Sequence, residues 1–368
     1  MFIPSAKSNL SLLTLFIVSI GLFIWVDSSR VFVSEKYYEE KLAAANLMQK
    51  AENTIKEYRA AQDIYIDEVN DPNQTALIGD KQSLIVTDRG NLTAKLTSLN
   101  PNFAAAVVEL FKEAKLKKGD KIALNCTGSF PAVNIAVMSA AQALGLDLVI
   151  CSSVGASMFG ATDPDFTWLD MERLLNEKGI FEYKSICASL GGGRDLGRGL
   201  NVLGREKIVE AVERNNVTLV HEESLEKNIS KKMELFAQAA GEKPYELYIN
   251  VGGGLSSLGN SINGQLLSPG YHRYINLKNI PLKGTMFLFA EQGIPVIHLL
   301  DIGKFARNYD LPVAPDPIPE PGTGSMFKAE IYNVTNAYIS LAILVILIVI
   351  VILFDHKQLK LKDDEIEI

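Results

Sequence analysis

A turn rich in hydroxyl groups and glycine follows an apolar run near the middle of the chain. It reads Thr127-Gly128-Ser129-Phe130-Pro131. Proline favours the first position of a helix and the residue before it favours extended dihedrals, so Phe130 is expected at the helix N-cap. Ser129 is then open to three interpretations: a structural turn residue, part of an anion site with the free N–H groups of the helix start, or a nucleophile. Its flanks are not Gly-x-Ser-x-Gly, so it is a weak candidate for catalysis.

Two glycine loops offer a second kind of chemistry. The segment Gly191–Gly199 carries Arg194 and Arg198, and three glycines at 252–254 follow another apolar run. Glycine lets the backbone approach a ligand closely, and the arginine fork matches a carboxylate. The alternative for the first loop is a flexible segment with solvated charges. The second loop lacks the lysine of a phosphate-binding loop and the spacing of a dinucleotide fingerprint, so no cofactor is predicted.

Two aspartates flank a proline in Asp163-Pro-Asp165, after serines at Ser152, Ser153 and Ser157. Carboxylates two residues apart can hold a cation or act as acid and base. The same spacing around a proline is typical of a turn. Asp163 and Asp165 are therefore weak metal candidates, and no other metal site is predicted.

The histidines and cysteines indicate a core rather than a site. His298 lies in an apolar run and is predicted to be a core residue. A triad of Ser129, His298 and Asp301 can be assembled on paper, but no spacing supports it. Three cysteines also lie in apolar runs, without metal-ligand spacing, and are predicted to be core thiols: Cys126, Cys151 and Cys187.

The candidate residues share one location if the chain folds as its hydrophobic pattern predicts. Apolar runs at 121–127 and 146–151, with a helical pattern at 131–144 between them, predict two parallel strands and a crossover helix. Strand and helix patterns alternate beyond this unit, which predicts an α/β fold with a mostly parallel, doubly wound sheet. Ligands of such sheets bind beyond the carboxyl ends of the strands. The predicted ligand-binding residues at those ends are Thr127, Gly128, Ser129, Ser152, Ser153, Ser157, Arg194, Arg198, Gly252, Gly253 and Gly254.

Composition shifts predict how the chain is divided. Two α/β lobes are expected, at 76–180 and 181–311. A helical stalk at 30–75 precedes them, and its apolar residues recur at helical spacing. A proline-rich extended linker at 312–325 follows the second lobe.

The two ends of the chain predict a membrane protein. Uncharged apolar runs at 10–26 and 337–354 just reach the length of a membrane-spanning helix. A cleaved signal peptide is the alternative for the first run, but no Ala-x-Ala site follows it. Lysines before the first run and after the second predict a cytoplasmic N-terminus at 1–9 and a charged cytoplasmic tail at 355–368. The domain between them is then extracytoplasmic.

The overall charge excludes one class of partner. The net charge is −7 over 368 residues, and the basic residues are scattered along the chain. A nucleic-acid-binding protein concentrates basic residues on one face, so nucleic acid is not an expected partner.

Four segments carry a resemblance when they are taken together. They are Asn100-Pro-Asn-Phe103, the turn from Thr127 to Pro131, the serine-rich segment 152–160, and Asp163-Pro-Asp-Phe-Thr-Trp-Leu-Asp170. In these segments the chain resembles the bacterial family called poly-gamma-glutamate system protein. The resemblance covers most of 75–310 and is most specific from Thr127 to Asp170. It implies a cell-membrane protein that works with the ligase and membrane subunits that make and export poly-γ-glutamate, and it implies no catalytic residues.

The expected partners are therefore poly-γ-glutamate or other glutamate-type carboxylates, the other membrane subunits of the polymer synthase, and the lipid bilayer. Poly-γ-glutamate carries one carboxylate per residue, and the acidic chain would not attract it over long distances, so contact should be local. Enzymatic activity is not the favoured expectation. Two alternatives stay open: an extracytoplasmic serine hydrolase or transpeptidase that acts through Ser129, and a sensor module that binds a small carboxylate.

Overall fold

The structure is a computed structural model that describes residues 8–62, 64 and 66–366, with side chains described as far as 354. It separates into two compact units, one of residues up to Glu35 and from Lys328 onward, the other Lys36–Phe327. Most of the predicted N-terminal segment, residues 1–7, lies outside the described residues. The helices are α1 (Asn9–Ser28), α2 (Tyr38–Ala61), α3 (Leu92–Ser98), α4 (Asn102–Glu113), α5 (Pro131–Leu144), α6 (Trp168–Glu177), α7 (Val202–Arg214), α8 (Leu225–Ala240), α9 (Leu255–Leu258), α10 (Ser261–Gln265), α11 (Thr285–Glu291), α12 (Ile302–Asn308) and α13 (Val334–Ile366). The strands are β1 (Val31–Ser34), β2 (Val86–Asp88), β3 (Lys121–Thr127), β4 (Asp147–Ser153), β5 (Ala156–Ser157), β6 (Ser185–Ser189), β7 (Thr218–Val220), β8 (Tyr245–Val251), β9 (Gly270–His272), β10 (Val296–Leu299) and β11 (Lys328–Ile331).

A seven-stranded sheet organises the larger unit, in the order β7-β6-β4-β3-β8-β10-β9. Every neighbouring pair is parallel except β10 with β9, which is antiparallel. The prediction of an α/β fold with a mostly parallel sheet is confirmed. Strands from both predicted lobes lie side by side in this one sheet, and the division into two lobes stays a prediction.

In the central β3–α5–β4 unit, β3 and α5 have the predicted bounds, whereas β4 begins one residue later and ends two residues later than the predicted strand at 146–151. Strand β3 is buried along nearly its whole length, as expected of a parallel strand covered on both faces. Pro131 occupies the first turn of α5, and Gly145 ends the helix in the left-handed conformation at φ +64°. The register pairs Thr127 with Ser153, so the two strands end at the same level.

Helices cover both faces of the sheet. One face packs against α4, α5, α6 and α7, and the other packs against α8 and α11, with Phe236 and Phe289 among its fully buried rings. The three cysteines are buried free thiols, as predicted. Helix α2 packs against α4 and α5 through Ala44, Met48 and Ile55, so the predicted stalk helix is part of the domain.

The proline-rich segment 312–325 also lies along the domain. Asn73 donates from Nδ2 to the Pro315 carbonyl at 2.9 Å and accepts from the Ile318 N–H at 3.1 Å. Asn102 holds the next part, accepting from the Gly322 N–H at 3.0 Å. Two asparagine side chains thus replace the ladder bonds that a proline-rich backbone cannot form.

One predicted element is wrong at its end. The apolar run at 294–302 predicts a strand over those residues, but β10 covers only Val296–Leu299. The reason is a helix start: Asp301 accepts from the Lys304 N–H at 3.0 Å and caps α12. The apolar Ile302 belongs to this helix.

The smaller unit consists of two helices and a two-stranded ribbon. Helix α1 and residues Val334–Phe354 of α13 are long and apolar enough to cross a membrane, by length and composition. They contain the runs predicted at 10–26 and 337–354. Strands β1 and β11 pair antiparallel, with Val31 opposite Ile331. The helix α13 continues through the charged residues to Ile366.

Candidate functional site

The ends of β3, β4 and β8 meet at one polar position. A Cβ atom at Gly252 would lie 2.6 Å from Thr127 Oγ1. A Cβ at Gly254 would lie 3.3 Å from Asn125 Nδ2 and 3.8 Å from Ser153 Oγ. The structure therefore brings Thr127, Ser153 and the glycines of 252–254 together, and at Gly252, with φ +78°, a side chain would be strained and would meet Thr127. Gly253 is exposed and Gly254 is half-buried, so this sheet edge lies directly beneath the surface.

A buried ion pair stands under this edge. Lys232 of α8 and Asp195 of the loop after β6 are both fully buried, with Lys232 Nζ 3.2 Å from Asp195 Oδ2. The ammonium also donates to Ser189 Oγ at 2.7 Å and to Ser256 Oγ at 2.6 Å. Three acceptors use all three N–H bonds of an ammonium group. Lys232 is thus a fully bonded cation that joins β6, α8 and the start of α9.

Asp195 connects the pair to the strand ends. Its Oδ1 accepts from Ser189 Oγ at 2.8 Å and from Ser153 Oγ at 3.3 Å. Asn228, one turn before Lys232, donates to the Asp195 carbonyl at 3.1 Å and to Oδ2 at 3.3 Å. Such a carboxylate is compensated by one cation and several donors, which is the condition for burying it.

Neighbouring amides are buried without partners. Asn125 is fully buried, and neither its Nδ2 nor its Oδ1 has a hydrogen-bond partner among the described residues. Thr127 Oγ1 and Asn250 Oδ1 are buried and unpaired as well. Nearly all buried polar atoms are satisfied in folded proteins, so three such side chains at one edge call for an additional partner. No carbonyl among the described residues accepts from the N–H of Gly253 or Gly254, which adds two donors.

The loop after β6 is held in a costly backbone conformation. Arg194 and Asp195 have φ angles of +58° and +61°, in the left-handed region that side chains rarely occupy. The buried bonds of Asp195 hold it there, while Arg194 and Arg198 are exposed on the surface of the loop. Strain of this kind persists where surrounding contacts determine it and is common at functional sites.

Ser152 faces the other side of the sheet from Ser153. Its hydroxyl lies 2.8 Å from Ser185 Oγ, which in turn donates to Glu172 Oε1 at 2.8 Å. Successive side chains of a strand point to opposite faces, so the two serines cannot share a ligand. Burial raises the pKa of Glu172 to about 7, against the lowering effect of its bonds with Ser185.

Ser129 is a connecting residue at the same end of the sheet. Its hydroxyl accepts from the Ser157 N–H at 3.0 Å, so it does not cap α5. The ammonium of Lys95 donates to the Ser129 carbonyl and lies 3.1 Å from Ser157 Oγ. Lys95 also lies over the Phe130 ring, 3.7 Å from its centroid. Burial lowers the pKa of Lys95 to about 7.

The remaining candidates have other partners. Asp163 accepts from the Asp165 N–H at 3.0 Å and lies 3.5 Å from the Arg59 guanidinium, which is a turn with an ion pair. The ring nitrogens of His298 lie 3.1 Å from Asn250 Nδ2 and 3.1 Å from the Gly264 carbonyl. Burial lowers its pKa to about 4. Since Asp301 caps α12, the triad with Ser129 is not formed. Among the described residues no group of three or more metal-ligating side chains occurs.

Sequence reasoning missed three residues of the site: Asn125, Asp195 and Lys232. One signal was available for Lys232. The buried residues of α8 recur at helical spacing, and a lysine and an asparagine lie on that apolar stripe. The sequence gives no comparable signal for Asp195. The arginines of the same loop are more obvious ligand-binding candidates, because only the structure shows that Asp195 is buried and the arginines are exposed.

No model of a known protein family matches this chain, and a comparison with curated proteins also found no match.

Proposed function

We propose that this chain is a membrane-anchored, extracytoplasmic binding component of a poly-γ-glutamate synthesis or export system. Its domain binds a glutamate-type carboxylate at the edge formed by β3, β4 and β8. The resemblance at Thr127–Asp170 supports poly-γ-glutamate as the polymer. The chemistry of the sheet edge supports a role in binding it.

The buried, unpaired amide of Asn125 carries the proposal. A carboxylate at the glycine loop would accept hydrogen bonds from Asn125 Nδ2, from Thr127 Oγ1 and from the N–H groups of Gly253 and Gly254. These donors to the carboxylate are all neutral. The nearby ammonium group of Lys232 is not among them, because it is already paired with Asp195. The exposed guanidinium groups of Arg194 and Arg198 would meet further carboxylates along the polymer.

Replacing Asn125 by Leu tests the proposal. In the full chain, held in lipid nanodiscs, Asn125→Leu should abolish binding of a fluorescent γ-glutamyl oligomer. It should also stabilise the free protein by about 1–2 kcal/mol, because a desolvated amide without partners is removed. Binding by the variant at the affinity of the unchanged protein would refute the site.

Ser139→Ala is the matched control. Ser139 is also fully buried with an unpaired hydroxyl, but it lies about two turns into α5 from the strand ends. This change should leave oligomer binding intact. Titration with free glutamate in the same assay separates polymer binding from a sensor of small carboxylates, since a sensor would bind the monomer as tightly as the oligomer.

A second candidate function is hydrolysis or transpeptidation of the polymer. The observation that favours it is the pair Lys95–Ser157, since a lysine with a pKa of about 7 can accept a proton from a nearby serine hydroxyl. Ser157, rather than Ser129, would then be the nucleophile. Ser157→Ala should lengthen the polymer made by cells while Ser129→Ala alters its length less; unchanged length with Ser157→Ala removes the enzymatic candidate.

A further inference from the structure

A cavity of about 240 Å³ lies between α2 and the proline-rich segment, away from the sheet edge. Glu52 and Lys56 of α2 line one wall, and Ile318 and Glu320 line the other. The second wall is fixed, because both polar atoms of the Asn73 side chain bond the backbone at 315 and 318. The cavity is therefore formed before any ligand arrives.

The Glu52 carboxyl group in this cavity forms no hydrogen bond or salt bridge with any described residue. Glu52 is only 8% exposed, and its Oε1 is buried without a hydrogen bond. The like charge that acts on it is Asp71, which itself accepts from Thr75 Oγ1 and from the Ala76 N–H. Burial, and to a smaller extent Asp71, raise the pKa of Glu52 well above its usual range. A buried carboxyl group without partners is costly, and a cation would relieve that cost.

Lys56 lies one helical turn from Glu52 and is also unengaged. Glutamate and lysine at this spacing normally pair on a helix surface. Here no carboxylate among the described residues lies within salt-bridge distance of the Lys56 ammonium. The ammonium also donates no hydrogen bond to any described residue. A carboxyl group and an ammonium group thus share one wall of the cavity without a bond between them.

We propose that this cavity binds a free α-amino acid as its zwitterion. The ligand's ammonium group donates to Glu52, and its carboxylate accepts from Lys56. The negative charge of Asp71 acts on Glu52 and favours the cationic end of the ligand there, whereas the Arg59 guanidinium on the next turn of α2 lies 3.5 Å from Asp163. The ligand's side chain meets Pro317 and Ile318. On binding, Glu52 releases its proton to solvent and forms the ion pair.

Calorimetric titration of the full chain in detergent micelles tests this site. The probes are L-alanine, L-leucine and L-glutamate, with propionate and ethylamine as analogues of alanine that lack one charged group each. At least one amino acid should bind at millimolar concentration or below. Both analogues should bind at least tenfold more weakly than L-alanine. The heat of binding at neutral pH should vary with the ionisation enthalpy of the buffer, because a proton is released.

Variants of α2 decide the assignment. Glu52→Gln and Lys56→Met should each weaken binding more than tenfold, and Glu52→Gln should also abolish proton release. Glu57→Gln, an exposed change on the same helix, is the control and should bind normally. No heat with any of the three amino acids, equal binding of propionate, or normal binding by Glu52→Gln would overturn the proposal. Asn125→Leu should leave this binding unchanged, so failure here is distinct from failure at the sheet edge.

Discussion

Two kinds of buried polar residue meet at the carboxyl edge of the sheet. Lys232 and Asp195 are compensated by each other and by hydroxyl groups, whereas Asn125 has no partner among the described residues. The first kind fixes the geometry, and the second kind is available to a ligand. A native fold tolerates the unpaired amide because the cost of one such group is a small part of the whole stability.

Removing the buried cation should be severe. Lys232→Met leaves Asp195 charged and unpaired in the core, and we expect a loss of about 3–5 kcal/mol of unfolding free energy. Adding Asp195→Asn should recover much of it, since asparagine tolerates the positive φ of that position. Chemical denaturation measures both. The neighbouring half-buried Lys231→Met is the control. It removes a surface ion pair with Glu234 and should change stability by about 1 kcal/mol or less; a loss comparable to that of Lys232→Met would mean that the buried ion pair is not the cause.

Glu172 should make stability depend on pH. Its pKa is about 7 in the folded protein and near 4.5 when exposed, so the folded state holds a proton that the unfolded state has lost between these values. Stability should therefore fall as pH rises from about 4.5 to about 7, by up to about 3 kcal/mol from this group. Glu172→Gln should flatten the curve in that window when unfolding is followed at several pH values. His298 acts in the opposite sense, since its pKa of about 4 favours folding at higher pH, so only the difference between variant and unchanged protein is diagnostic.

The loop between β8 and α9 is the element that shapes the sheet edge. Gly252 has φ +78°, and a Cβ there would meet Thr127 Oγ1 at 2.6 Å. Gly254 has φ −56°, which any residue adopts, and its missing Cβ leaves space beside Asn125. The two glycines therefore have different roles, conformational in one case and spatial in the other.

Alanine substitutions separate these roles. Gly252→Ala should destabilise the domain by about 1–3 kcal/mol through strain and the close contact. Gly254→Ala should change stability by less than about 1 kcal/mol but weaken binding of the γ-glutamyl oligomer, because its methyl group occupies the space next to Asn125. Denaturation and binding measurements on both variants check this. Unimpaired binding by Gly254→Ala would place the carboxylate elsewhere.

Local patterns predicted the elements well where one pattern dominates. The bounds of β3 and α5 follow from apolar runs that end at glycine, with Pro131 at the start of α5, and the structure has them at the predicted residues. The ion pair of Asp195 and Lys232 was not predictable in the same way. It joins residues from a loop and a helix that are distant in sequence, and only the sheet order brings them together. Likewise the end of β10 depends on a cap at Asp301, which a continuous apolar run conceals.

At the scale of the whole molecule, the proposed extracytoplasmic placement of the domain is open to a direct test. Val202 is 62% exposed on the domain, and the native cysteines are buried. In intact cells, Val202→Cys should react with a membrane-impermeant maleimide, and Asp364→Cys in the tail should react only after lysis. The opposite pattern would place the domain in the cytoplasm and remove the extracytoplasmic part of the proposed function.

The two ends of the domain leave it at neighbouring points. Tyr38 packs edge-on against Phe327, with ring centroids 6.0 Å apart, and Lys41 donates to the Met326 carbonyl at 3.1 Å. A mechanical load applied between the two ends would thus act first on this clasp and not along the strands. The strands of the sheet would carry such a load only after this clasp has opened.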